Sequence, residues 1–211
     1  MTPDAHAPPL TESQLAACAK VACGCEARGG VVLLVGPAGV GKSTVLAAVR
    51  AGLPPVGDTR PVADWLAIGT EELPPVLVLD DAHLESEADL ARLVAHARRR
   101  QPEATVVLAG EGRLLTLVAR DTRLEQAVRI RASLLPGTPA DTRRLVESIP
   151  RFPNGLSEEA LAAVHEMAGG VPAAVIRLAE LATVVAAAHP AGLVAATDIE
   201  AIHRRLSPLA A

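Results

Sequence analysis

Aromatic residues are almost missing from this chain: Trp65 and Phe152 are the only two, and there is no tyrosine. Without aromatic faces there is no platform on which single-stranded bases could stack. Lysine is nearly as scarce, since Lys20 and Lys42 are the whole complement and arginine carries almost all the positive charge. The formal charge of −4 excludes a surface that traps nucleic acid or acidic membrane as a whole, leaving room only for a local basic patch. The three cysteines, Cys18, Cys23 and Cys25, crowd into one segment with no second cluster, which suits reduced thiols and not a disulfide framework or a zinc site. No apolar run approaches the roughly 20 residues of a membrane-spanning helix, the nearest being Leu181 to Ala188. No basic segment followed by an apolar run marks a secretory signal, so a soluble cytoplasmic protein is expected.

What is present is a chain of 211 residues, half of them apolar, enough for one domain and a small satellite. Residues 1–10, with Pro3, Pro8 and Pro9, read as a flexible leader. Thr11 and Gln14 have capping-box spacing for a helix reaching about Ala27, stopped by Gly29 and Gly30. Val31 to Val35 is a continuous branched apolar run, the pattern of a strand buried on both faces. A helix is expected from Lys42 to Ala51, a loop from Gly52 to Thr59, and either strand or helix from Pro61 to Ile68. Pro75 to Asp80 and Thr105 to Ala109 are two more buried strands. Between them Ser86 caps a helix with Leu90, Leu93, Val94 and Ala97 at i, i+3, i+4 and i+7. Gly112 to Arg120 reads as helix, and Arg129 to Leu134 alternates like a strand nearer the edge. Strands alternating with helices predict an α/β fold, a parallel sheet with helices on both faces, over 11–135. After Pro136, Gly137 and Pro139 the pattern turns wholly helical, predicting a small C-terminal lid over 138–211. Its helices start at Thr138 with Asp141, at Ser157 (ending at Gly169 and Gly170), at Pro172 (to about Ala188), and at Thr197 with Glu200 closing a capping box.

The chemistry is written in Gly36-Pro37-Ala38-Gly39-Val40-Gly41-Lys42-Ser43, followed by Thr44, which fits G-x-x-x-x-G-K-[ST] with a buried strand before it and a helix after it. Glycines are needed because the loop must wrap an anion closely with its backbone N–H groups turned inward. The following helix aims its positive end at the phosphates, Lys42 reaches the β and γ oxygens, and the Ser43 hydroxyl is a Mg²⁺ ligand. ATP or a related nucleoside triphosphate is the expected ligand. Val76 to Asp81 is an apolar run ending in two carboxylates: Asp80 is the expected Walker B partner of Mg²⁺, acting largely through water. Asp81 is the candidate catalytic base or water-orienting group, with a helix-capping or solvated acid as the alternative.

With both halves in place the chain resembles AAA+ ATPases, most closely the ATPase domain of the general secretion pathway protein A (ExeA) family, over about residues 14 to 206. The resemblance rests on ordered motifs: Gly36 to Thr44, Val76 to His83 (V-L-V-L-D-D-A-H), Val106 to Leu114 (V-V-L-A-G-E-G-R-L), Leu124 to Leu134, and Leu156 to Leu181 with A-G-G-V-P. It implies Mg²⁺-dependent ATP hydrolysis coupled to oligomerisation or partner remodelling. It also implies a sensor-1 position at Gly110 and Glu111, where relatives tend to carry a neutral polar residue in place of the acid. Arg129 resembles the arginine finger that reaches a neighbouring subunit's γ-phosphate, with Arg131 as second candidate and a plain surface arginine as the alternative. At the sensor-2 helix start the family has Arg directly after the proline, whereas this chain has Ala173 after Pro172 and its next basic residue is Arg177. Losing that charge implies slow or partner-dependent turnover. The short link between the Walker A helix and the Walker B strand implies a reduced second strand and helix. Secretion-type members carry a membrane segment and a peptidoglycan-binding part that this sequence does not show, so the secretion role does not carry over.

Two other functions fit the same motifs. One is an ATP-gated regulatory switch or adaptor with little turnover, which Ala173 and the short Asp81 favour. The other is a transposition-type ATPase on duplex DNA, supported only by Arg98 to Arg100, Arg143 with Arg144, and Arg204 with Arg205, which more often form solvated faces. His83 follows the Walker B acids and either senses nucleotide or bonds the loop; His96 and His165 have no partner at metal-ligand spacing.

Overall fold

Successive residues of the buried strands face opposite sides of one sheet, and that alternation builds the core. A computed structural model of the chain describes residues 8–52, 56–68, 73–149, 156–188 and 194–206. In chain order the elements are α1 (Glu12–Glu26), β1 (Gly30–Val35), α2 (Lys42–Gly52), β2 (Val56–Thr59), α3 (Val62–Ala67), β3 (Val76–Leu79), a 3-10 turn (Ala82–Leu84), α4 (Glu87–Arg100), β4 (Thr105–Gly110), α5 (Arg113–Arg120), α6 (Thr122–Ala127), β5 (Val128–Ser133), α7 (Pro139–Glu147), α8 (Glu158–Ala168), α9 (Pro172–Ala188) and α10 (Ala196–Leu206). All strand pairs are parallel, in the order β2-β3-β4-β1-β5.

The chain divides into two compact units. One is Ser13–Leu135; the other comprises the described residues of Pro136–Ala211 together with residues 8–12. In the first, Val31 and Leu33 of β1 point with Leu77, Leu79, Val106 and Leu108 toward α3, α4, α5 and α6. Their neighbours Val32 and Leu34 point with Val76, Val78, Val107 and Ala132 toward α1 and α2. Each of these valines and leucines contributes about 1.5–3 kcal/mol by leaving water, which is why both faces must be covered. The second unit has its own core, in which Leu145, Val164, Val175, Leu178, Ala182 and Ile199 from all four helices meet.

Four expectations need revision. The composition of Gly52–Thr59 predicts loop, but residues 56–59 form β2, an edge strand whose half-exposed side chains carry no apolar signature of their own. Pairing with β3 supplies its order. The ambiguous Pro61–Ile68 segment is helical (α3), because Val62 and Trp65 fall one turn apart and both are buried, with the Trp65 indole N–H donating to the Val78 carbonyl at 3.1 Å. Helix α6 was not expected; Asp121 caps it through Arg123 N–H and Leu124 N–H. The last helix begins before Thr197: Ala195 N–H donates to the Asp198 carboxylate, so the closing acid is Asp198, not Glu200. Most of the expected leader, residues 1–7, and Phe152 lie outside the described residues.

The caps expected at Ser86, Thr138 and Ser157 are formed, with Thr138 and Asp141 making a full capping box. Gly169 ends α8 in the left-handed region (φ 56°). At Gly170 a Cβ would come 2.4 Å from the Gly137 carbonyl, so only glycine fits that approach.

Candidate nucleotide-binding site

In a parallel sheet the carboxyl ends of all strands lie on one edge, so the segments after β1, β3 and β4 converge there. After β1 comes Gly36, where a Cβ would lie within 2.9 Å of Leu134 and Val40. Pro37, Ala38 and Gly39 are exposed at the loop's crest, and Val40 is fully buried beneath it. Gly39 (φ 76°) and Gly41 (φ 95°) adopt the left-handed conformation that β-carbons oppose. The first α2 hydrogen bond runs from Val45 N–H to the Gly41 carbonyl at 3.0 Å, which leaves the N–H groups of Lys42, Ser43 and Thr44 in the helix's unpaired first turn.

Lys42 is buried, and its ammonium donates to the carbonyls of Gly36 and Pro37, each at 3.0 Å, so the cation is held inside the curve of the loop. The Ser43 hydroxyl donates to Asp80 Oδ2 at 2.6 Å across the gap between β1 and β3. Asp80 Oδ1 accepts the Asp81 N–H at 2.9 Å, so both carboxylate oxygens are oriented. A cavity of about 80 Å³ opens beside this pair, lined among others by Ser43, Arg50, Thr59 and Asp80. Hydroxyl and carboxylate oxygens suit Mg²⁺, and no group of three or more His, Cys, Asp or Glu able to hold a metal occurs among the described residues. That donor set fits an ion that keeps several waters and takes the rest of its shell from phosphate.

Asp81 sits in the left-handed region (φ 52°, ψ 28°) with its side chain two-thirds exposed. Its Oδ1 lies 3.9 Å from His83 Nδ1, and His83 Nε2 lies 3.8 Å from Glu111 Oε1. The His83 ring is thus wedged between the two acids, and its Nδ1 is buried without a hydrogen-bond partner. Gly110, at the end of β4, presses on it: a Cβ there would come 3.0 Å from the His83 N atom. Arg113 donates to the His83 carbonyl from α5.

One contact was not legible in the sequence. The buried Gln14 of α1 donates from its amide to the Val40 carbonyl at 2.9 Å. Because a trans peptide sets C=O and the following N–H on opposite sides, pinning the Val40 carbonyl toward α1 turns the Gly41 N–H away from it. At Gly41 a Cβ would lie 2.2 Å from Gln14 Nε2, so a side chain there would push the amide off the Val40 carbonyl. A separation of 26 positions between Gln14 and Val40 follows no local period, so no sequence signal marks the pair.

Comparison with known proteins defines the fold. No family model and no curated protein matches the chain. Among solved structures, the Thermotoga maritima RuvB Holliday junction branch migration motor superposes with a TM-score of 0.63 at 21% identity, over 92% of this chain and 67% of that one. Its P216G variant gives 0.68 at 18% identity, over 95% and 74%. Aeropyrum pernix ORC2 in its ADP form gives 0.59 at 14% identity, over 95% and 71%. The fold is the AAA+ P-loop fold. At these identities the likeness extends to the fold alone.

Within the AAA+ fold the remaining candidates are spread out. Arg129 lies exposed at the amino end of β5, its side chain running along Gly30 at the start of β1. It is therefore about 17 Å, the length of β1, from the loop end of the same sheet. Arg131 is engaged by Glu125 at 2.5 Å. Ala173 and Arg177 are both exposed one turn apart on α9. The cysteines are free, and burial, with Glu26 adding to it, pushes the Cys25 thiol up to about 11. No helix is long and apolar enough to cross a membrane among the described residues.

Proposed function

We propose that the chain binds ATP with Mg²⁺ on the loop from Gly36 to Thr44 and hydrolyses it as an AAA+ ATPase, coupling nucleotide state to oligomer assembly or to remodelling of a partner. The observation that carries this reading is the 2.6 Å hydrogen bond from Ser43 to Asp80, which joins the two halves of the site beside the inward-held Lys42. On this reading Ser13–Leu135 is the nucleotide-binding core and the helices from Pro139 onward are the lid. Lys42 exchanges its two carbonyl partners for phosphate oxygens, and the loop's backbone N–H groups complete the cradle. Mg²⁺, when bound, neutralises charge on the β and γ phosphates, with Ser43 and Asp80 as the protein oxygens that hold it directly or through water. Asp81 orients the attacking water and accepts its proton. Arg129, a β-strand's length from its own loop, acts only on the site of a neighbouring copy. The narrower resemblance to the general secretion pathway protein A ATPase domain is part of this proposal, without its secretion role.

A second reading, a nucleotide-gated switch, is favoured by Asp81 itself: its short side chain is mostly exposed, and no hydrogen bond fixes its carboxylate among the described residues. Ala173 likewise supplies no charge at the sensor-2 position. One set of measurements separates the readings: ATP binding and turnover of wild type, Lys42→Ala, Asp81→Asn and Arg129→Ala, with size analysis with and without nucleotide. Failure of wild type to bind any nucleoside triphosphate with Mg²⁺ overturns the proposal. Tight binding lost in Lys42→Ala with negligible turnover throughout establishes the switch. Turnover that rises with oligomer size and disappears in Arg129→Ala establishes the motor. Duplex DNA that stimulates turnover, with binding weakened by salt, brings the DNA-associated variant forward.

A further inference from the structure

The arginines of this chain differ in whether an acid holds them. Arg28, Arg50, Arg92, Arg131, Arg143 and Arg144 each pair with a carboxylate. Arg98, Arg99 and Arg123 have no ion-pair or hydrogen-bond partner for their guanidinium groups among the described residues, and all three border one cavity of about 330 Å³ between α4 and the start of α6. Its floor is aliphatic, made by Ala91, Val94, Ala95 and Leu124. Asp121 also lines it, and its Oδ1 caps α6 by accepting the N–H groups of Arg123 and Leu124 at 2.7 and 3.0 Å, so one carboxylate stands among the three cations. Arg98 and Arg99 stand in the last turn of α4, where a cation is favourable; Arg123 stands in the first turn of α6, where it is not. Three exposed guanidinium groups against the single carboxylate of Asp121 leave the rim of this hollow with a net positive charge, which an anion seated there would complement.

We propose that this cavity is a binding site for a small amphipathic acid, an apolar body bearing one carboxylate or phosphate group. The volume falls at the lower end of the range of small-ligand pockets, and the lining matches their usual form, mostly apolar with a few convergent polar groups. Guanidinium groups grip planar or tetrahedral oxyanions through paired hydrogen bonds, while Val94 and Leu124 shelter the apolar body. Nucleic acid is the poorer fit, since a phosphate backbone has nothing to bury on an aliphatic floor and the cavity has no aromatic face for a base. The site is separate from the P-loop, whose residues do not line it, so the proposal stands apart from the nucleotide reading.

The test uses the full chain and 8-anilinonaphthalene-1-sulfonate, an aryl sulfonate, as fluorescent probe. One saturable site is expected. Arg123→Ala and the Arg98→Ala/Arg99→Ala pair should each weaken binding about tenfold or more, with thermal melts confirming that both fold. Arg92→Ala, on the same helix but outside the cavity and paired with Asp89, should leave binding unchanged. Displacement by decanoate assigns the carboxylate form of the ligand, and displacement by phenyl phosphate the phosphate form. The proposal is overturned by non-saturable binding, by equal weakening in Arg92→Ala, by displacement with neither competitor, or by stronger displacement with a 20-base-pair duplex. Mg²⁺-ATP affinity should not change in any of these variants.

Discussion

The P-loop of the unit Ser13–Leu135 and the helix starts of the helical unit are held in opposite ways. At the helix starts of the helical unit the ordering contacts are short in sequence: Thr138 with Asp141, Ser157 with Ala160, Ala195 with Asp198. Around the P-loop they are long: Gln14 with Val40, Ser43 with Asp80, Gly36 against Leu134. Local caps stabilise a helix wherever it packs, whereas a binding loop needs anchors from several elements at once to hold a shape that its own residues do not prefer. The helical unit should accordingly respond to mutation in stability, and the P-loop in affinity.

The largest effect expected is on the P-loop side of that contrast. Lys42→Ala removes two charge-assisted contacts to phosphate and should lower Mg²⁺-ATP affinity roughly a hundredfold, about 3 kcal/mol, with little change in folding stability; titration calorimetry and urea unfolding measure the two together. Loss of stability without loss of affinity would reverse the comparison.

Next is Asp141→Ala, which breaks the exception among the local contacts, because this buried carboxylate also accepts the Glu12 N–H at 3.1 Å. Burial by itself would raise its pKa, but the N–H groups of Thr138 and Glu12, the Thr138 hydroxyl and Arg144 outweigh it and hold the carboxyl below its ordinary range. A pKa lowered by folding stabilises the fold above the unfolded value and is lost as pH falls through the folded one. Wild type should thus lose stability below about pH 4, and Asp141→Ala should lose about 3 kcal/mol at pH 7 and show less of the acid-dependent part. Urea midpoints at pH 7 and pH 3 decide it.

Gln14→Leu sharpens the comparison from the other side. It leaves the Val40 carbonyl unpaired and frees the 40–41 peptide to turn, so nucleotide affinity should fall about tenfold while stability falls by about 1–2 kcal/mol. A variant that loses stability but keeps full affinity would show that Gln14 only packs. The smallest effect is Ser157→Ala, where losing one cap should cost about 1 kcal/mol with nucleotide affinity unchanged.

Legibility follows the same division. Strands β1, β3 and β4 could be read because each is a run of branched apolar residues buried on both faces, and the caps at Ser86, Thr138 and Ser157 because their partners lie three residues away. Strand β2 could not, since an edge strand with exposed side chains is defined by its neighbour. Residue type and spacing single out Lys42, Ser43 and Asp80, and the fold brings them together; resemblance alone singles out Arg129, which stands at the opposite edge of the sheet.

The sequence by itself determined the α/β alternation, the helical second half, and a glycine-rich loop with lysine and serine at its helix end, because hydrophobic period, capping and backbone permissiveness act over a few residues. Only the tertiary structure decided that β3 sets Asp80 against Ser43, that Gln14 holds the loop, that His83 lies between Asp81 and Glu111, and that three arginines far apart from the P-loop share one hollow. Each of those arrangements includes residues tens of positions apart, and their register comes from how helices and strands pack, not from any pattern along the chain.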